Sequence, residues 1–319
     1  AHRAPSASRA TLVLADAAAR AGRLFRAWRD EVGDVQRLGL VRLALGFFLF
    51  RQALHDVEHE AVWGYFGTRF HVPILPDALV PSPLGWAALE AAMLAMGALV
   101  VVGIAARPAL LWSGVAGIYL LLCDRMRYHH HIYTLYLMAL LMAFIPCERS
   151  WARGRRFAPD DERLGPLWAM RLLQLQLTLI YVASGGSKLL DAEWRSGAVL
   201  ADRMVRYGNT AIARGVPHAI VDFLRSPLGG HLMAKGAIVT ELGLAVALWH
   251  PRTRRVAAWA GIVFHVTIDV TTGVDIFSWL SILILYLFAT YETPSGSPSA
   301  APIPPTAPSR TPAPARTPR

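Results

Sequence analysis

The chain has 319 residues, 54% of them hydrophobic and 17% charged, with a mean hydropathy of +0.37 and a formal net charge of +10. Such a composition excludes an ordinary soluble domain and makes the bilayer the natural solvent. The arginines lie between apolar segments and at the two ends, without the interleaved aromatics of a nucleic-acid motif, so the positive charge reads as membrane topology.

In chain order, residues 1–37 are basic and lack the long apolar core of a cleavable signal, so the first span is expected to direct insertion. Within them, residues 10–36 set Leu12, Leu14, Leu24, Phe25 and Trp28 among arginines and acids, as in an amphipathic helix lying on a membrane or a solvated helix. A first span follows at 38–54, with Arg42 and Arg51 reaching headgroups or facing the bundle interior. A loop with Trp63, Tyr65 and Phe66 suits the water–lipid interface. Further apolar runs at 84–106, 108–126, 130–147, 167–189, 235–250, 255–273 and 275–291 complete about eight spans, each near the ~20 residues that cross a bilayer. The expected fold is an all-α polytopic transmembrane bundle over residues 38–292. The proline-rich stretch 293–319 cannot bury a core and is expected to be a disordered tail.

Under strict alternation the basic amino end, Arg107, the loop 148–165 and the run 252–255 share one side, which predicts a multi-pass protein of the cell inner membrane with both termini cytoplasmic. Cys123 and Cys147 then fall on opposite sides, and no disulfide is expected. Segment 193–234, with Trp194, Tyr207 and Phe223, reads as short amphipathic helices on the outer surface.

The same alternation brings several polar groups to one level near the outer face: His129–His131, Lys188, Glu241, His265 and Asp269. Ionisable groups inside a span typically cost ~2.5–3.5 kcal/mol each, so a shared polar pocket is the economical arrangement. The three adjacent histidines fan around a helix and cannot all face one ion, so no metal is expected; they are an interfacial cap, or one of them is a donor or base. His265 and Asp269 are spaced i, i+4, which permits a hydrogen bond between them or a structural polar pair. Glu241 can pair with an arginine or with Lys235, and Gln174 and Gln176 can bond neighbouring helices. Lys188 is one of only two lysines, the other being Lys235. It either snorkels to the headgroups or serves as a base, which arginine cannot do. The glycines of SGGS before it would admit a close backbone or a flat ligand.

The segments HHIYTLYLMALLMAFIP, LQLTLIYVASGGSKLLDAEWRSG and VFHVTIDVTTGVDIFSW, in this order, resemble the membrane domain shared with vitamin K-dependent gamma-carboxylases, the HTTM domain, over about residues 35–292. The most specific element is G-x-K-x-L-D-A-x-W-x-x-G, met by Gly186, Lys188, Leu190, Asp191, Ala192, Trp194 and Gly197. The resemblance implies a helical membrane enzyme, a quinol-dependent oxygenase or carboxylase-type lyase, that deprotonates a reduced quinone, vitamin K or another quinol, captures oxygen, and uses the resulting strongly basic alkoxide to abstract a proton from glutamate before carboxylation. It implies catalytic roles for Lys188, His131 and His265, with His130, Trp194, Glu241 and Asp269 around the ligand; partners would be the bilayer, a quinone and a small or peptide substrate, and no nucleic acid. Leu189 stands where carboxylase members carry a second lysine, the proposed base, a departure that counts against carboxylase chemistry. The family's carboxylases also carry a large soluble domain after the spans, where this sequence has its proline-rich stretch. The competing class is a non-enzymatic transporter or a lipid- or small-molecule-binding membrane protein.

Overall fold

The computed structural model describes residues 9–63, 72–152, 156–157, 159, 162–272 and 275–290. Tyr65, Phe66, the side chains of Leu12, Leu14, Leu24 and Trp63, and the stretch 293–319 lie outside the described residues, and with them the expectations for the aromatic loop and the tail.

The helices are α1 (Arg9–Arg29), α2 (Gln36–Trp63), α3 (Pro83–Val102), α4 (Ala106–Cys123), α5 (His130–Met142), α6 (Trp168–Leu190), α7 (Ala192–Ser196), α8 (Ala198–Ala213), α9 (His218–Arg225), α10 (Pro227–Ala247), α11 (Arg254–Thr272) and α12 (Asp275–Thr290). One element departs from an all-α chain: β1 (Val32–Asp34) pairs antiparallel with β2 (Leu164–Pro166), Gly33 opposite Gly165. This ribbon joins the entry to α2 with the entry to α6, and Arg171 reinforces it with two bonds to the Glu31 carboxylate, at 2.8 and 2.6 Å.

Helix starts follow local chemistry. Ser82 accepts from the Gly85 N–H ahead of α3, and Ser226 accepts from the Gly229 N–H ahead of α10, each followed by a proline at the first helical position. Helix α2 lies against α3 with the backbones nearly touching: a Cβ at Gly97 would sit 2.7 Å from the Phe50 nitrogen. Arg42 is fully buried in this seam and donates to the carbonyls of Val100, Val101 and Trp151, so it faces the bundle interior and closes the end of α3. The core runs through Leu45, Leu49, Met138, Leu173, Tyr181, Leu244 and Phe288, linking α2, α5, α6, α10 and α12.

Among the described residues three helices are long and apolar enough, by length and composition, to cross a membrane: Gln36–His59 within α2, α3 and α4; Ile276–Thr290 is apolar but shorter. The expected spans otherwise correspond to helices with different limits. The fourth ends at Met142 instead of 147, and the sixth begins at Pro227, eight residues before the expected start at 235. Cys123 and Cys147 are free, buried thiols.

Candidate functional site

The segment after Lys188 folds back on it. Helix α6 ends at Leu190, and the Asp191 carboxylate accepts from the Glu193 and Trp194 N–H groups at 2.8 and 3.1 Å, capping α7. Arg195 returns to the Leu189 and Leu190 carbonyls that the end of α6 leaves unpaired. Gly197, at φ 86°, then turns the chain into α8, a conformation that glycine adopts without a Cβ clash. This tight reversal sets the Trp194 ring 5.0 Å from the Lys188 ammonium, in cation–π range.

Across from it, α10 supplies the counter-charge. Lys188 Nζ lies 2.6 Å from both Glu241 oxygens and 2.6 Å from Ser184 Oγ, and Ser184 donates to Glu241 at 3.2 Å. The side chains are 15% and 8% exposed, so the lysine is held inside the helix interface and does not reach outward. Gly185 makes the approach possible, since a Cβ there would press on Leu242 and Glu241. Glu241 therefore pairs with Lys188, not with an arginine or Lys235; Lys235 is exposed.

Two turns earlier on the same face of α6, Tyr181 Oη meets His265 Nε2 of α11 at 2.9 Å. The bond between His265 and Asp269 is absent: Nδ1 of the buried imidazole has no hydrogen-bond partner, and it sits among the rings of Tyr181, Phe264 and Phe277. The interhelical tyrosine wins because it is the group that the buried ring nitrogen faces. Because Tyr181 and Lys188 stand two turns apart on one face of α6, the two pairs make a polar centre between α6, α10 and α11.

Of the other expected site residues, His129, His130 and Asp269 make no hydrogen bond to this centre among the described residues. His129 and His130 are exposed and His131 is half-buried at the start of α5; their ring contacts are Tyr128 with His130 and His129 with His131. Asp269 lines a cavity of about 470 Å³ with Phe47, Phe48, Gln52, His55 and Trp279, while Arg214 donates to its backbone carbonyl at 2.5 Å. Gln52 leads from the cavity to a charge cluster that the sequence reading passed over: it donates to Asp56 at 3.1 Å, and Arg127 pairs with Asp56 at 2.7 Å and Glu90 at 3.2 Å. Trp86 donates to Glu90 at 2.6 Å. Its signal was present, a glutamate one helical turn after a tryptophan within an apolar run. Tyr181 was legible in the same way, seven residues before Lys188 on one helical face.

Among the described residues no group of three or more histidine, cysteine, aspartate or glutamate side chains is placed to hold a metal ion. The family model for the HTTM domain matches residues 31–292. The chain belongs to the HTTM family. No solved structure matches it. In this HTTM membrane protein the lysine-to-glycine motif is thus a physical unit: Asp191, Arg195 and Gly197 shape the turn that places Trp194 beside the Lys188–Glu241 pair.

Proposed function

We propose that this HTTM protein crosses the inner membrane eight times with both termini cytoplasmic, binds a reduced quinone in a pocket opening away from the cytoplasm, and withdraws its proton through His265, Lys188 and Glu241. The observation that carries the reading is Lys188 Nζ, held 2.6 Å from each Glu241 oxygen beside a buried imidazole with one unpaired nitrogen. Ionisable groups gathered between helices are expensive and mark ligand or proton pathways.

The residues fit a quinol. Phe47, Phe48 and Trp279 offer flat apolar walls in a cavity of about 470 Å³, and Gln52, His55 and Asp269 offer polar contacts, while His265, four residues before Asp269 on α11, lies outside this lining with a buried Nδ1 that no described residue matches. Bound there, a quinol supplies an acidic hydroxyl and two electrons; vitamin K hydroquinone is the example that the family resemblance suggests. The chain's residues handle the proton. Tyr181 sets the imidazole tautomer: when its hydroxyl accepts from Nε2, Nδ1 is the acceptor that can take a proton from the ligand. Lys188 and Glu241, hydrogen-bonded to each other, offset the charge that develops nearby. Trp194 covers the amine. His130, His131 and Asp269 would complete the ligand's surroundings, and Leu189, 46% exposed, leaves the carboxylation step outside the proposal.

A second reading also has an observation behind it. Lys188 is already fully engaged by Ser184 and Glu241, as a structural pair would be, so the same centre could bind a lipid or cargo molecule without chemistry. Oxidation of vitamin K hydroquinone by the purified protein under oxygen separates the two. Replacing Lys188 and Glu241 together by methionine keeps the interface apolar and is expected to lower turnover by ~10²–10⁴, the usual worth of acid–base help. A folded double variant that turns over like the parent removes the catalytic reading, and a parent protein without turnover leaves the binding reading in its place.

A further inference from the structure

A second cavity, of about 480 Å³, lies at the other end of the bundle, where α3 ends, α4 begins and α5 ends. Phe144 in its wall packs on Trp168 at the start of α6, 5.8 Å between ring centroids, whereas Lys188 is close to the far end of that helix. At 1.5 Å per residue the two are roughly 30 Å apart.

Its polar groups carry opposite charges that do not meet. Arg107 donates through Nε to the Ala143 carbonyl at 2.9 Å, closing the last turn of α5. Its terminal guanidinium nitrogens make no hydrogen bond among the described residues. Glu148 lines the same cavity, and its Oε2 is buried without a hydrogen-bond partner. A buried carboxylate oxygen left unmatched is unfavourable by more than a neutral group would be, so it asks for a donor. The cap residue of α4, Ala105, supplies no side-chain acceptor for the first turn, which leaves the N–H groups of Ala106 and Arg107 open to an anion. Leu111 and Phe144, 43% and 48% exposed, extend the wall outward as apolar surface.

The cavity thus offers an anion site, a cation site and a greasy lip, at the ends of two helices that meet the length and apolarity of membrane spans. We propose that it holds the headgroup of an aminophospholipid, with the phosphate on Arg107 and the first turn of α4, the primary ammonium on Glu148, and the acyl chains along Leu111 and Phe144. A purely anionic headgroup would meet the Glu148 carboxylate with like charge. A choline headgroup has no N–H to give it. The ethanolamine ammonium has three.

Native mass spectrometry of the detergent-purified protein, titrated with phosphatidylethanolamine, phosphatidylcholine and phosphatidylglycerol of identical chains, tests this. Phosphatidylethanolamine is expected to be retained about tenfold better than the other two, the scale of one charge-assisted hydrogen bond. Glu148→Gln should bring it down to the phosphatidylcholine level, Arg107→Gln should weaken retention of all three, and soluble phosphoethanolamine should displace none. Equal retention of the three lipids by the parent protein, a preference for phosphatidylglycerol, or an unchanged preference in Glu148→Gln overturns the proposal. Displacement by phosphoethanolamine overturns the lipid as occupant. The headgroup comparison on the parent chain needs no variant, so a misfolded substitution does not shield the idea.

Discussion

Removing the Lys188 amine alone leaves the Glu241 carboxylate charged inside a helix interface where no other base reaches it. Lys188→Met is therefore expected to destabilise the protein by roughly 3–5 kcal/mol, whereas adding Glu241→Met should restore most of that loss, because an apolar pair of similar volume has no desolvation to offset. Thermal unfolding in detergent measures both, and equal losses in single and double variants would mean that the two side chains are not coupled. Tyr181→Phe should lower stability by about 1–3 kcal/mol, since it strips the one hydrogen bond that the buried His265 ring makes among the described residues; a change within a few tenths would count against the pair. Lys188, Glu241 and His265 stood out in the sequence as polar residues in apolar runs, but which groups they pair with did not. The eye pairs residues i and i+4, hence His265 with Asp269. The structure pairs residues 53 and 84 positions apart, which depends on helix rotation that periodicity alone leaves open.

Among the elements, the seam between α2 and α3 is sensitive to a single carbon. Gly97→Val would drive side-chain atoms into the Phe50 backbone, 2.7 Å from where the first of them would stand. Overpacking usually costs ~1–3 kcal/mol, and here the obstacle is backbone that cannot rotate away, so the upper end is expected, read as lost yield and a lower unfolding midpoint. Helices were legible where apolar runs and capping signals coincide. Pro227 after Ser226 announces the start of α10, yet hydropathy drew the boundary at 235 because Gly229, Gly230 and His231 dilute the apolar run. Helix α2 likewise continues through the polar residues His55, Asp56, Glu58 and His59, which hydropathy discards. The ribbon of β1 and β2 is three residues a side with a glycine in each strand, too short for alternation to announce it.

For the whole molecule, membership of the HTTM family and a membrane-embedded helical body rest on most of the chain, while the eight-span topology is a proposal that reaches beyond the three helices qualified by length and composition. Helix α10 is the decisive one, because it separates the motif after Lys188 from the basic turn before α11. In a background lacking Cys123 and Cys147, Glu193→Cys should react with a membrane-impermeant maleimide added outside spheroplasts, and Arg252→Cys only after permeabilisation. Labelling of both from one side would place α10 within a single leaflet and undo the orientation. The central claim, that a quinol binds in the cavity beside Asp269 and gives up its proton toward His265, Lys188 and Glu241, is tested most directly by mass spectrometry of lipophilic molecules extracted from the purified protein. A quinone at near-stoichiometric amount in the parent, lost in His265→Leu and in the Lys188→Met, Glu241→Met double variant while both stay folded, is the predicted result. A parent without quinone, or variants that retain it undiminished, would contradict the account.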